Sequence, residues 1–282
     1  MNAFIILNYN DCDNCIRLAT AVSNFGCIDK VIVVDNCSTD DSVLKLSKIE
    51  CDKIKLMVTE RNGGYSYGNN RGAEYAIKEL HADKLVFSNT DIIIEEDALM
   101  ASLNAVGKDN IAYCAPLMQY SYKNEAEPIT EYSSNWFSSI IKKTMIGTII
   151  RKMHKRKRHT MGIHDVDLAC GALFVILADA FAHVGMFDEK VFLYYEEEIL
   201  FYKLKQKKLR TVIDGSHKYI HQHGVVINKR YNEYRRFKMR LKSEKYFWYE
   251  VVKINIFSKF LFSLLSKIVL CERFVYYKIF QK

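Results

Sequence analysis

Three groups of residues in this chain have the types and spacing to do chemistry. The first lies in the N-terminal third: Asp35 at the end of an apolar run, the loop from Asn62-Gly63-Gly64 to Asn69-Asn70-Arg71-Gly72, and Asn89-Thr90-Asp91. Carboxylates beside backbone-rich loops suit a nucleotide whose base and ribose are read by polar groups. A hard divalent cation would carry its diphosphate, with Asp91 supplying an oxygen ligand alongside the phosphates. Taken singly, Asp35 and Asp91 could merely cap the helices that follow them. Together, with the glycine loop between them, they point to a ligand.

The second group is Glu196-Glu197-Glu198, which follows the aromatic pair Tyr194-Tyr195. Crowding and burial of adjacent carboxylates raise a pKa toward the range of a general base. The plainer account is acids at a helix N-terminus answering the macrodipole. The third group is His221-Gln222-His223-Gly224. In extended chain the two histidines point the same way and either could complete a metal site; as an isolated motif they read as a surface pair. Cys12-Asp13-Asn14-Cys15 imitates a redox motif, yet no second C-x-x-C exists for zinc and neither proline is placed for a redox fold.

These residues need elements to hold them. Residues 4–8, 30–35, 55–59 and 84–88 read as strands, and helices are expected over 15–24 and from the glycine loop to residue 80. Such alternation predicts a mostly parallel sheet flanked by helices, with ligands beyond the carboxyl ends of the strands. Asn8, Asp35, Asn89 and Asp91 all fall at those ends. The glycine loop is neither G-x-G-x-x-G after the first strand nor a G-K-[ST] loop, which argues against a Rossmann dehydrogenase or a Walker ATPase. Residues 119–164 lack periodicity and contain the basic run RKMHKRKR at 151–158. Regular structure is expected again over 167–177, with a helix reaching about residue 207, and the last 50 residues read as helical and amphipathic.

Composition sets the outer bounds. With 282 residues and 49% hydrophobic against 26% charged content, the chain can bury a full core and is neither disordered nor collagen-like. No uncharged apolar stretch reaches the ~18 residues of a membrane span. The start, MNAFIIL, enters a strand without a basic n-region, so a cytosolic protein is expected, as its scattered cysteines also suggest. Charge is uneven: residues 229–282 hold 14 Lys/Arg against 4 Asp/Glu, while the whole chain is only +8. A basic, aromatic tail on a near-neutral body suggests an anionic membrane surface or a nucleic acid.

In this order the motifs resemble the family 2 inverting glycosyltransferases of the GT-A fold, particularly the rhamnosyltransferase-like branch of bacterial surface-polysaccharide synthesis. The resemblance rests on FIILNYN at 4–10, VVDNCSTDDS at 33–42, the 61–72 loop and Asn89-Thr90-Asp91 in the D-x-D position. It continues through Cys170-Gly171-Ala172, Gly185-Met186-Phe187-Asp188-Glu189, residues 192–197 and His221 to Gly224, covering roughly residues 4–225.

That resemblance implies a Rossmann-like, mostly parallel GT-A domain over 1–225 with a basic helical appendage over 226–282. Within the domain it implies a nucleotide-sugar half at 1–118, a variable basic insertion at 119–164 and an acceptor half at 165–225. Asn8, Asp35, Asn62, Gly63, Asn70, Asn89 and Asp91 would contact the nucleotide-sugar, UDP- or dTDP-linked. Asp91 would hold Mn²⁺ or Mg²⁺, with His221 or His223 as a further ligand. Glu197 stands where the family has a catalytic aspartate, so the base is Glu197 or its neighbour Glu196. The family's next acid is absent, because Ile199 occupies its place. The implied acceptor is a saccharide, often polyprenyl-linked, at the inner membrane face, with the basic tail as a peripheral foot; a nucleic-acid partner is not expected. A catalytically silent, membrane-associated nucleotide-binding subunit is the alternative.

Overall fold

The computed structural model describes residues 1–123, 125–126, 135–145, 147, 161–222 and 232–280. The basic run at 151–158 and His223 lie outside the described residues.

Strands β1 (Asn2–Asn8), β2 (Lys30–Asp35), β3 (Ile54–Val58) and β4 (Lys84–Ser88) pair in parallel in the order β3-β2-β1-β4. Helices α1 (Cys12–Ser23), α2 (Ser42–Leu46) and α3 (Tyr65–Lys78) make the crossovers. The rest of the sheet comes from β5 (Ile92–Ile93), β6 (Ile111–Tyr120), β7 (Ile163–Asp165), β8 (Leu173–Leu177) and β9 (Arg210–His221). Antiparallel β8 inserts beside β4; beyond it come β6, β9 and β5, with β7 on the flank of β9. Helices α4 (Glu96–Ala105), α5 (Trp136–Ile141), α6 (Ala178–His183) and α7 (Glu196–Gln206) complete the domain.

Alternation within the strands divides the core. Phe4, Ile6, Val31 and Val33 pack toward α1 and α4, against Cys15, Leu18, Leu99 and Leu103. Ala3, Ile5, Ile32 and Val34 pack toward α3, α6 and α7, against Ala73, Ala76, Phe181 and Leu204. Cys12 and Cys15 belong to the first cluster, and desolvation pushes both thiols up, so the pair is packing material. Gly72 is likewise inside α3 rather than in a ligand loop: a Cβ there would meet Ile5 at 2.8 Å, so the helix lies close on the sheet.

The C-terminal segment, expected as an appendage, shares a core with the domain. Helix α8 (Glu233–Tyr246) runs through a π-helical turn at Phe247–Val251, and after residues 252–255 the chain enters α9 (Ile256–Phe280). Leu241, Phe247, Trp248, Phe262 and Val269 form a third cluster with Ile140 of α5 and with Val191, Tyr195 and Ile199 around the start of α7. An ion pair crosses it. Glu244, fully buried, takes Lys143 Nζ at 2.8 Å and the Ser139 hydroxyl. Removing one partner of such a pair costs more than the pair contributes, because the other charge is stranded.

If the tail is an integral layer, Phe262→Ala should lower stability by about 3–5 kcal/mol. At this chain length that is a fall in Tm of roughly 5–15 °C by calorimetry; an unchanged Tm would mean that the tail folds apart from the domain.

Candidate active site

The carboxyl ends of β1 and β2 form one polar cluster. Asp35, fully buried, accepts from the Asn8 amide at 2.7 Å, from the Ser38 N–H at 2.8 Å and from the Ser38 hydroxyl at 2.7 Å. Asn36 donates to Asn62 Oδ1 at 3.2 Å and to the Gly64 carbonyl at 3.0 Å, while Asn62 Oδ1 also accepts from the Gly64 N–H at 3.1 Å. Gly64 has φ +91°, and a Cβ there would sit 2.1 Å from the Phe192 carbonyl oxygen. The 62–65 loop therefore lies directly against the segment that leads to the three glutamates.

Residues 170–172 join the other parts. Because β8 pairs with β4 in antiparallel register, Ser88 opposite Leu173, the chain before β8 runs beside the chain after β4. The Asn89 N–H donates to the Ala172 carbonyl at 2.9 Å. Tyr65 OH donates to the Gly171 carbonyl at 2.8 Å. The Gly171 N–H donates to Glu197 Oε1 at 3.2 Å. A Cβ on Gly171 would lie 2.5 Å from that oxygen, so glycine makes room for the carboxylate.

The three glutamates open α7 after Tyr194 and Tyr195, whose φ values of 68° and 71° are both left-handed. Two such non-glycine residues cost roughly 1–2 kcal/mol each. The return is that Glu196, Glu197 and Glu198, about 100° apart around the helix, face three environments. Glu196 is 6% exposed, and its Oε2 makes no hydrogen bond. Burial, then the charge of Glu197, pushes it well up, which favours its neutral form. Glu198 is pushed up to about 8, again by burial first and Glu197 second. Glu197 is half-buried; burial raises it too, but its own backbone N–H, that of Gly171 and the charge of Arg240 favour the anion. Of the three, Glu197 is the one whose charged form is favoured by backbone donors and a nearby cation.

Across the site, His221 Nε2 lies 3.2 Å from Asp91 Oδ1, both side chains nearly buried. The β5–β9 pairing aligns them, with Ile92 opposite His221 and the Gln222 N–H on the Asp91 carbonyl at 2.9 Å. The Tyr120 ring stacks on His221 at 6.0 Å. Among the described residues no group of three His, Cys, Asp or Glu side chains gathers as a metal cluster.

The structure thus brings Asn8 and Asp35 together, Asn62 and Gly63 into the adjoining loop, and Asp91 with His221. Asn70 is elsewhere: its amide donates to the Phe187 carbonyl at 3.0 Å and to Glu189 at 2.9 Å, and it accepts from the Phe187 N–H. With both ends of its amide committed, Asn70 braces α3 against the 185–189 loop rather than meeting a nucleotide. The sequence reading missed Asp11, which takes the Thr90 hydroxyl, as well as Tyr65, Tyr120 and Arg240. Tyr65 lay inside the 61–72 loop and Asp11 directly after the 4–10 motif, while Tyr120 and Arg240 lay in none.

A family model, Glycosyl transferase family 2, matches residues 3–185. The chain belongs to that family. It is 25% identical over 224 residues to the low-salt glycan biosynthesis hexosyltransferase Agl10 of Haloferax volcanii, covering 76% of this chain and 66% of the relative. It is 28% identical over 176 residues to rhamnosyltransferase WbbL of Escherichia coli K12, covering 60% and 63%. The chain thus spans just under two thirds of each relative. Among solved structures it is similar to GalNAc-T7 with UDP, GalNAc and Mn²⁺ (TM-score 0.59, 15% identity, 78% of this chain and 43% of that one). It is also similar to mannosyltransferase PcManGT from Pyrobaculum calidifontis with GDP-Man and Mn²⁺ (TM-score 0.59, 10% identity, 96% and 72%). The fold is that of the GT-A glycosyltransferases.

One carboxyl beside Glu197 is open to titration. The folded protein keeps a proton on Glu198 up to about pH 8, whereas the unfolded chain gives it up near pH 4.3. Stability should therefore fall as pH rises through that window. Glu198→Gln should melt higher than the parent by roughly 3–8 °C at pH 9, with the gap closing toward pH 4.5; a gap independent of pH would contradict the assignment.

Proposed function

We propose that this chain is an inverting glycosyltransferase that moves a sugar from a nucleoside-diphosphate donor to a hydroxyl of a saccharide acceptor. The observation that carries it is the three-residue bridge at 170–172. One end holds the base candidate through Gly171 and the other ties to Asn89, two residues before Asp91. Glu197 takes the proton of the acceptor hydroxyl, which attacks the anomeric carbon from the face opposite the nucleotide. The carbon–oxygen bond to the diphosphate breaks, and configuration inverts. Holding donor and acceptor on either side of one rigid bridge supplies proximity. Asn8, Asp35 and the Asn62–Gly63 loop line the nucleotide side, and Glu196 is a buried acid behind the base.

A carboxylate oxygen and an imidazole nitrogen 3.2 Å apart, both shielded, form a donor set that Mn²⁺ or Mg²⁺ accepts. Asp91 and His221 would hold the ion, and when bound it neutralises charge on the departing diphosphate. Mn²⁺ in the two structural relatives supports this reading, as the names of the sequence relatives, a hexosyltransferase and a rhamnosyltransferase, support a hexose or deoxyhexose donor; that it is UDP- or dTDP-linked is our reading.

The acceptor we place at a membrane, as a polyprenyl-linked saccharide for surface polysaccharide, with the protein peripheral on the inner face. No helix among the described residues is long and apolar enough to cross a membrane. Yet α9 turns Phe257, Phe260, Leu264, Ile268, Val275 and Ile279 outward, with Lys267 and Lys278 in the same face. A groove of about 610 Å³, lined chiefly by apolar side chains, runs along it beside Met145. An apolar stripe on a segment of net charge +10 suits the surface of an anionic bilayer.

A thermal-shift panel of UDP, dTDP, GDP and CDP with and without Mn²⁺ tests the donor half. A nucleotide at about 100 times its Kd should raise Tm by roughly 5–10 °C with metal. Asp91→Ala should abolish the rise. Glu197→Gln should keep it while transfer falls at least about 100-fold. No shift with any nucleotide would favour the silent-subunit reading. Separately, the protein should sediment with phosphatidylglycerol vesicles but not with phosphatidylcholine ones. The pair Phe260→Asp and Ile268→Asp should abolish that while leaving transfer to a soluble acceptor intact.

A further inference from the structure

Helix α8 reaches the acidic cluster from the far end of the chain. The guanidinium carbon of Arg240 lies 4.7 Å from the centroid of the Tyr194 ring, within cation–π reach. Tyr194 is the first of the two left-handed residues that turn the chain into α7. The same turn is braced by neighbours of Arg240. The Ser243 hydroxyl donates to the Leu193 carbonyl at 2.8 Å, Tyr246 OH donates to Asp188 at 2.8 Å, and the Phe247 ring lies 5.7 Å from that of Tyr195.

The titratable groups facing Glu197 come from several elements. Glu196 and Glu198 stand on its own helix, Tyr65 on α3, Tyr113 on β6, Cys170 beside Gly171, and Arg240 on α8. Lys143 of α5 reaches Glu198. Among the described residues, Arg240 is the positively charged group that faces Glu197. Arg240 is exposed, so it remains accessible to water and ions on its outer side.

We propose that Arg240 is a positioning residue for Glu197: packed on Tyr194, it fixes the turn that aims the carboxylate and sets a positive charge beside the acidic cluster. The C-terminal helix then belongs to the catalytic apparatus as well as to the surface of the molecule. The inference rests on Glu197 acting as the base. The charge favours the anionic form of Glu197, which the base needs before it can take a proton.

The test is the pH dependence of sugar transfer in the full chain for Arg240→Gln and Arg240→Lys, with the donor-induced rise in Tm measured alongside. In Arg240→Gln the acid limb of kcat/KM should move to higher pH. Transfer at pH 6.5 should then fall about three- to tenfold and recover at alkaline pH, with the donor-induced rise unchanged. Arg240→Lys should keep the limb in place. A Gln variant that binds donor and shows an unmoved limb would overturn the proposal, as would a Lys variant whose limb moves as far. Should the Gln variant not fold, the parent and the Lys variant decide at about 1 M salt, where an exposed charge is screened: the limb should move as in Gln, and an unmoved limb counts against Arg240. Glu197→Gln is the control. Transfer that persists there removes the base assignment itself, whatever Arg240 does.

Discussion

The rest of the site depends on the contact between the Gly171 backbone and the Glu197 carboxylate. No side chain fits between them, since a Cβ would lie 2.5 Å from the oxygen, and the N–H of the same residue supplies a hydrogen bond to the charge. A buried carboxylate needs such a donor, because an unpaired one reverts to the neutral acid. Everything that fixes Gly171 therefore fixes that carboxylate. The β4–β8 ladder sets its height, Tyr65 holds its carbonyl, and Ala172 ties the next residue to Asn89. The antiparallel insertion of β8 beside parallel β4 does more than complete the sheet: it carries the chain that holds Glu197 across to the chain that leads to Asp91.

The second constraint is electrostatic. Three consecutive glutamates at a helix start gain from the macrodipole, but desolvation opposes ionising all three. Environment divides them: Glu196 is buried as an acid, Glu198 is raised to about 8, and Glu197 has backbone donors. Dividing them requires a turn of unusual geometry, the paired left-handed tyrosines, and such a turn persists only where its surroundings over-determine it. Here the surroundings are the third hydrophobic cluster and the hydrogen bonds from Ser243 and Tyr246. The tail thus serves the centre of the domain.

What was legible in the sequence follows from the same physics. Strands 30–35 and 84–88 could be read because buried parallel strands are continuous apolar runs. Strand β9 could not: its 12 residues mix Asp214, His217 and Lys218 with apolar positions, and its pairing with β6 shifts register at Pro116/Leu117. Near neighbours in sequence gave Asp35 and the Asn62 loop. Asn70 misled because a buried amide looks the same in sequence whether it meets a ligand or, as here, the backbone at Phe187, 117 residues away. Arg240 gave no signal, since one arginine among 14 basic residues in the tail reads as surface charge.

The tail was expected to be amphipathic, and α9 departs from that in an informative way. Its inner face, through Phe262 and Val269, is fully buried, yet the opposite face also carries a stripe of large apolar side chains, with Lys267 and Lys278 among them. An exposed apolar stripe opposite a buried one calls for cover on both sides. The inward half obtains it from the cluster that also holds Tyr195 and Ile199, so the outward stripe is mechanically continuous with the turn that starts α7. Cover on the outer face would therefore press on a rigid layer, not a loose tether. The fixed distance from that face to Glu197 would set how far an acceptor hydroxyl must stand from the surface on which α9 rests. On the proposed function an acceptor reaching further or less far would miss the carboxylate, and the packing of the tail would bear on which hydroxyl reacts.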